Sequence, residues 1–182
     1  NRLTLDQVAD MGFSGREIRF WMLGTHYRKA LHFSEDRLLE ARRALQKLDA
    51  CIQDLLNVKE GRPYPDLGQI VYDIKHGFIH AMYEDLNMSE AMASILGAVK
   101  KLNVLIQDKA IDQDGAGEVI KVFRDLDSVL NVCDFHNLFS DSLVRSLVEK
   151  REKARAEKDW ERADRLRAQL EELGVRIRDP KS

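Results

Sequence analysis

A chain of 182 residues, 44% hydrophobic with only three prolines, can bury one substantial core and a small second unit, and its 33% charged residues suit long solvated helices. A formal net charge of -2 excludes a protein that wraps duplex nucleic acid through bulk positive charge, but residues 1–144 carry 17 basic and 22 acidic groups against 12 and 9 in residues 145–182, so a polyanion is expected at the C-terminal part. Cys51 and Cys133 form no secreted disulfide framework, no apolar run approaches the ~18 residues of a membrane span, and the start lacks a signal peptide's regions, which leads to the expectation of a soluble cytoplasmic protein.

Residues 1–12 open with Leu3, Leu5 and Val8 already apolar and read as the continuation of something upstream. Ser14 with Glu17 three residues on makes a capping box, and Ile18, Trp21 and Met22 supply one apolar face of a short helix ending near Gly24 or Thr25. Residues 25–33 read as an ordered loop, with Phe33 placed to staple the next helix ahead of a Ser34 cap. From there Leu38, Ala41, Leu45, Leu48, Ile52 and Leu55 keep helical spacing for six turns, with Arg42, Arg43, Gln46 and Lys47 on the wet face. Gly61, Pro63 and Pro65 break this helix. A third helix runs through Ile70, Ile74, Phe78, Ala81 and Met82. Asn87, Met88, Ser89 and Glu90 start a fourth, carrying Met92, Ile95, Val99, Leu102 and Ile106. Residues 112–117, polar and holding two glycines, are expected to be a loop before a fifth helix with Val119, Ile120, Phe123, Leu126, Leu130 and Cys133.

Residues 134–140 are expected to link this part to a terminal hairpin. Leu147, Val148, Ala154, Trp160, Ala163, Leu166, Leu170 and Leu173 recur at three- and four-residue steps and predict two short antiparallel helices. Asp159 caps the second with Glu161 in its first turn, Gly174 suits a left-handed stop, and residues 175–178 alternate like a strand. The predicted fold is all-α: an antiparallel helical bundle followed by a helical hairpin with a short terminal strand. The expected division is a leading segment and first helix over 1–33, the bundle over 34–138 and the hairpin over 139–182.

Candidate chemistry gathers at the final bend. Trp160 either stacks on an unpaired base, a contact of ~1–3 kcal/mol, or packs between the two hairpin helices, on the stripe of Ala163 and Leu170. Arg155 presents a planar donor fork suited to guanine or phosphate, while Asp164 and Asp179 can accept from base amino groups and reject phosphate. The plain alternative for these charges is solvated surface and weak helix ion pairs. His76 and His80 have zinc-pair spacing without a third ligand, Cys133 with His136 is equally weak, and Gly115-Ala116-Gly117 follows no strand, so none is taken as a metal or phosphate site. Arg16, Arg19, His26 and Arg28 serve a nucleic-acid face, an active-site loop outside residues 1–182, or structure alone.

Gly12-Phe13-Ser14-Gly15-Arg16-Glu17-Ile18-Arg19-Phe20, Thr25-His26-Tyr27-Arg28 and Leu31-His32-Phe33-Ser34 together resemble the segment that follows the catalytic domain of bacterial cysteinyl-tRNA synthetases. Ala81-Met82, Asp85-Leu86-Asn87 and Glu90-Ala91 are similar to a second block of that family, inside its DALR-type anticodon-binding bundle. Ala154 through Trp160, with Ala163-Asp164 and Leu173-Gly174, resemble a third at its anticodon-binding end. The chain departs from the family at Lys29-Ala30, usually a proline, and at His32, usually Asn.

The resemblance implies a tRNA-binding fragment that recognises the stem and anticodon of cysteine tRNA, with Arg155, Trp160, Asp164 and Asp179 as RNA-binding residues. Residues 1–182 contain no HIGH-type motif, KMSKS loop or zinc-binding cysteine set, so no catalytic residue or cofactor is expected in them. ATP and zinc belong, on this reading, to a catalytic domain of the same parent chain, which would be a monomer. Two rivals stand beside it. One is a protein-interaction hairpin like that of bacterial excision-repair proteins, which leaves the blocks at Thr25 and Asp85 unexplained. The other is a cysteine ligase of mycothiol biosynthesis, which looks shorter at the C-terminus.

Overall fold

The structure is a computed structural model that describes residues 4–172, apart from the side chains of residues 136, 139–142, 171 and 172. Every regular element among the described residues is helical: α1 Leu5–Asp10, α2 Gly15–Leu23, α3 Glu35–Leu56, α4 Leu67–Tyr83, α5 Met88–Gln107, α6 Gln113–Leu130, α7 Phe135–Ala156 and α8 Trp160–Glu172. The predicted strand at 175–178 and the Gly174 stop lie outside the described residues. Two compact units result, Asn1–Asp134 and Phe135–Ser182.

In the first unit the capping signals act locally. Ser14 and Glu17 exchange side-chain and backbone hydrogen bonds, as their spacing predicts. The same box, Thr4 with Gln7, starts α1, a helix the sequence reading did not draw although Thr-x-x-Gln is its signature. Val8, Phe13 and Ile18 pack with Leu38, closing α1 and α2 over the start of α3. All six seam positions of α3 from Leu38 to Leu55 are buried. α3 packs on α2, α5 and α6, and α4 on α5 and α6. The approach of α4 to α5 needs Gly77, where an added Cβ would fall 2.3 Å from Ser94 Oγ.

Four local expectations are corrected. Ser34 occupies the cap position of α3 without a capping hydrogen bond, Glu35 and Asp36 supplying the negative charge its first turn favours, while Phe33 meets Trp21 edge to face at 5.9 Å. Residues 112–117 are not a loop: Asp112 caps α6 through the Gly115 N–H at 2.9 Å, and Gly115 is small because its Cβ would lie 2.6 Å from Leu67 Cδ2. α6 ends at Leu130, where Asn131 turns left-handed, so Cys133 lies beyond the helix. The link expected over 134–140 is already helical, since α7 begins at Phe135.

Long-range polar contacts fix the helix ends. Arg16 Nε donates to the Val132 carbonyl at 2.8 Å and its guanidinium pairs with Asp49 at 2.8 Å, while Arg19 donates to the carbonyls of Leu130 and Val129. Both arginines thus satisfy acceptors at the C-terminal end of α6 and make ties within the fold. Asp127 accepts from the backbone N–H groups of Val132 and Cys133 at 2.7 and 2.8 Å, closing the same end. Cys51 is fully buried and its thiol is pushed up to about 12 by burial; burial and then the Asp127 carboxylate push Cys133 higher still. Alkylation of both thiols at neutral pH is therefore expected to be more than about tenfold slower in the folded chain than in denaturant, followed by peptide mass mapping.

Arg42, placed on the wet face by spacing, instead donates to Glu17 and to the Gly12 carbonyl and lies 4.6 Å from the centroid of the Phe13 ring. The hydrogen bond from Arg42 holds the Glu17 carboxyl below its ordinary value of 4.5 against the opposing effect of burial, with Ser14 helping. A lowered folded pKa contributes stability above the unfolded value and loses it as pH falls through the folded one. Glu17→Gln retains the capping box but not the charge. Its stability deficit, measured by urea unfolding, is expected to be full above about pH 5 and to close as the pH is lowered below the carboxylate range.

In the second unit α7 and α8 pack on each other through Leu147, Ala154, Ala163 and Leu170, all buried. The alanines near the bend let the two backbones approach.

Candidate functional site

The bend between α7 and α8 is made by residues 157–159. Lys158 takes φ 58°, its N–H donates to the Arg155 carbonyl at 3.0 Å, and the Asp159 N–H reaches back to the Ala154 carbonyl at 2.8 Å. That is a Schellman stop with lysine where glycine is usual, a cost of ~1 kcal/mol or more for an L side chain. Asp159 Oδ1 then accepts from the Arg162 N–H at 3.1 Å and starts α8, as the sequence predicts.

Trp160 is the first residue of α8, and its indole is 60% exposed, so it does not pack between the two helices. The stripe of Ala163 and Leu170 does point at α7, but α7 has ended at Ala156 before the stripe reaches Trp160. The ring is left beside the bend. Asp164, exposed, stands one helical turn after Trp160 on the same side of α8. Arg155, half-buried in the last turn of α7, lies 3.9 Å from Glu152. Arg151 is buried and bonds Glu152 Oε1 at 3.0 Å. Asp179 lies outside the described residues. The bend thus carries an exposed aromatic ring at Trp160, an exposed carboxylate at Asp164 and, at the end of α7, the Arg155 guanidinium beside Glu152.

The other candidates have structural settings. The Thr25-His26-Tyr27-Arg28 and Asp85-Leu86-Asn87 blocks meet at one carboxylate: Tyr27 Oη donates to Asp85 Oδ1, 58 residues on, at 2.6 Å, Arg28 lies 3.1 Å from the same oxygen, and His26 Nε2 is 3.7 Å from Oδ2. Arg28 Nε also donates to Tyr27 Oη at 3.0 Å, and the rings of His26 and Tyr27 stack at 4.9 Å. Nothing in the spacing pointed to Asp85 as this anchor. His76 stacks on Tyr72 at 3.9 Å and His80 lies 4.0 Å from Glu84. Among the described residues no three His, Cys, Asp or Glu are placed to hold a metal ion, and no helix is long and apolar enough to cross a membrane.

The described helices carry two domain matches. Residues 77–133 match the DALR domain and residues 141–182 the cysteinyl-tRNA ligase anticodon binding domain. With the hairpin geometry, these define the class: the helical, anticodon-binding portion of a tRNA ligase. Over its whole length the chain is 37% identical to a cysteine–tRNA ligase of Chlamydia caviae and 32% identical to one of Leptospira interrogans, and over 98% of its length 31% identical to one of Protochlamydia amoebophila. The chain belongs to the cysteinyl-tRNA synthetase family and corresponds to its C-terminal portion. It spans about two fifths of the length of these relatives, 39%, 40% and 38% respectively.

Proposed function

We propose that this chain is the tRNA-binding part of a cysteine–tRNA ligase, in which the hairpin reads the anticodon of cysteine tRNA through Arg155, Trp160, Asp164 and Asp179. The observation that carries the reading is the exposed Trp160 at the bend of a hairpin lying within the anticodon-binding match, in the part of the chain with net positive charge. Stacking supplies sequence-tolerant affinity of ~1–3 kcal/mol per base, Arg155 adds a bidentate fork, and the two carboxylates favour base amino groups while repelling phosphate. Helices α3 to α6, taken as an antiparallel bundle over 34–138 between the leading 1–33 and the hairpin at 139–182, brace the tRNA stem.

The parent protein joins cysteine to tRNA using ATP, in the cytoplasm and as a monomer. ATP and zinc sites belong to its remaining chain, and this portion contributes positioning: holding the anticodon orients the acceptor end at a distant catalytic centre, so discrimination appears as aminoacylation rate. The protein-interaction reading accounts for none of residues 77–133, and the mycothiol-ligase reading leaves residues 141–182 without a role. The test is a fluorescence titration of the chain with cysteine tRNA and with a version carrying another anticodon, at one fixed salt concentration. Binding tighter to the cysteine anticodon by about tenfold or more is expected. Equal affinity removes the reading role.

A further inference from the structure

Away from the hairpin, α1, α2, the 24–33 loop and the α4–α5 turn surround an open groove of about 900 Å³. Leu5, Met22, Leu31, Leu86 and Met88 lie along it, the first four between 40% and 66% exposed. A groove lined by apolar side chains and rimmed by polar ones is a form that interaction sites take. The groove's wall is also built at a cost. Asp85 and Leu86 both take positive φ, 58° and 53°, a conformation that leucine adopts only with strain. The strain is held by the Asp85 carboxylate, on which Tyr27 and Arg28 converge, with Ser89 Oγ donating to the Gly24 carbonyl at 2.8 Å beside it. The result is that Leu86 stands outward, 57% exposed, with Tyr27 on the facing wall.

The chemistry of the lining selects the occupant. Phosphate needs several converging donors, but of the lysine and arginine in the lining Arg19 is already given to the Leu130 and Val129 carbonyls, and Lys29 shares the rim with the Asp6 carboxylate, which repels anions. Leucine and methionine side chains fit an apolar polypeptide face, the methionines adapting to its shape. About three fifths of the length of the similar ligases lies outside the stretch this chain matches, so a large polypeptide of the same parent is the partner at hand.

We propose that the groove seats an apolar face of the parent ligase's remaining polypeptide, and that Asp85 is the clamp that keeps its wall in the receiving shape. This rests on reading the chain as part of a longer ligase. The test compares the isolated chain with the full-length parent, each carrying Leu86→Cys, by rate of maleimide labelling mapped to the peptide. Leu86→Cys is expected to label as an open thiol in the isolated chain and at least tenfold more slowly in the parent, whereas Val129→Cys, equally exposed and outside the groove, labels alike in both. Met22→Cys gives a second reporter should Leu86→Cys fail to fold. Equal labelling at position 86 in both contexts overturns the proposal, and so does slow labelling in the isolated chain that speeds up on dilution, which would assign the groove to a second copy. Adding Asp85→Asn, which tolerates the left-handed backbone but loses the charge, is expected to restore at least half of the lost labelling rate in the parent; an unchanged rate removes the clamp. Protection at position 86 with no anticodon discrimination in the tRNA titration would sink the anticodon reading and leave the groove standing.

Discussion

Gly61→Ala is expected to lower the unfolding midpoint of the first unit by roughly 6–12 °C, from an over-packing cost of about 3 kcal/mol in a chain of this size. The added Cβ would come 1.9 Å from the Ile111 carbonyl oxygen and 2.8 Å from its carbon, and backbone cannot swing aside as a side-chain tip can. Movement is further opposed because the next residue is tied down: the Arg62 N–H donates to the Lys109 carbonyl at 3.1 Å, and Lys109 is itself in the left-handed stop of α5, with the Ala110 N–H reaching the Leu105 carbonyl at 2.8 Å. The same substitution at Gly97 has the opposite sign. No atom lies within 4 Å of its Cβ position in α5, so Gly97→Ala should stabilise by ~0.5–1 kcal/mol through helix propensity and unfolded-state entropy. Thermal melts of the two variants side by side separate a steric role from a generic glycine effect; a Gly61→Ala midpoint equal to wild type would show that residues 59–65 can lift away from 109–112.

Trp160→Ala should weaken binding to cysteine tRNA by roughly 5- to 150-fold, the equivalent of ~1–3 kcal/mol of base stacking, while leaving stability within about 0.5 kcal/mol of wild type. The pairing of a large binding effect with a negligible folding effect follows from the 60% exposure of the indole and from its place beyond the end of α7. Leu170→Ala provides the reverse: fully buried against α7, it should cost the hairpin ~2–5 kcal/mol. A Trp160→Ala chain that binds tRNA as wild type does, or that melts as Leu170→Ala does, would contradict the assignment of the indole to base contact. The two readouts together distinguish a ring that holds RNA from one that holds the fold.

Where one helix meets water on one side and a core on the other, the amino-acid order alone determined the result. The 3.6-residue rhythm of Leu38, Ala41, Leu45, Leu48, Ile52 and Leu55 names the buried face of α3, and short-range hydrogen bonds, reciprocal between Ser14 and Glu17 and between Asn87 and Glu90 and single from the Arg162 N–H to Asp159, name where helices start. Those interactions span three or four residues, so local spacing contains them. Composition also showed where positive charge collects, and the order of three motif blocks was sufficient to identify the family.

Tertiary structure decided the rest, because the deciding partner lies far away in sequence. Gly115 looks like loop glycine until Leu67 is seen against it, and Arg16 and Arg19 look like surface cations until the carbonyls at the end of α6, more than a hundred residues on, accept from them. Asp85 becomes an anchor only when the loop carrying Tyr27 folds over it. Trp160 continues the apolar stripe of α8 by spacing and is nonetheless exposed, since a stripe is buried only as far as its partner helix extends.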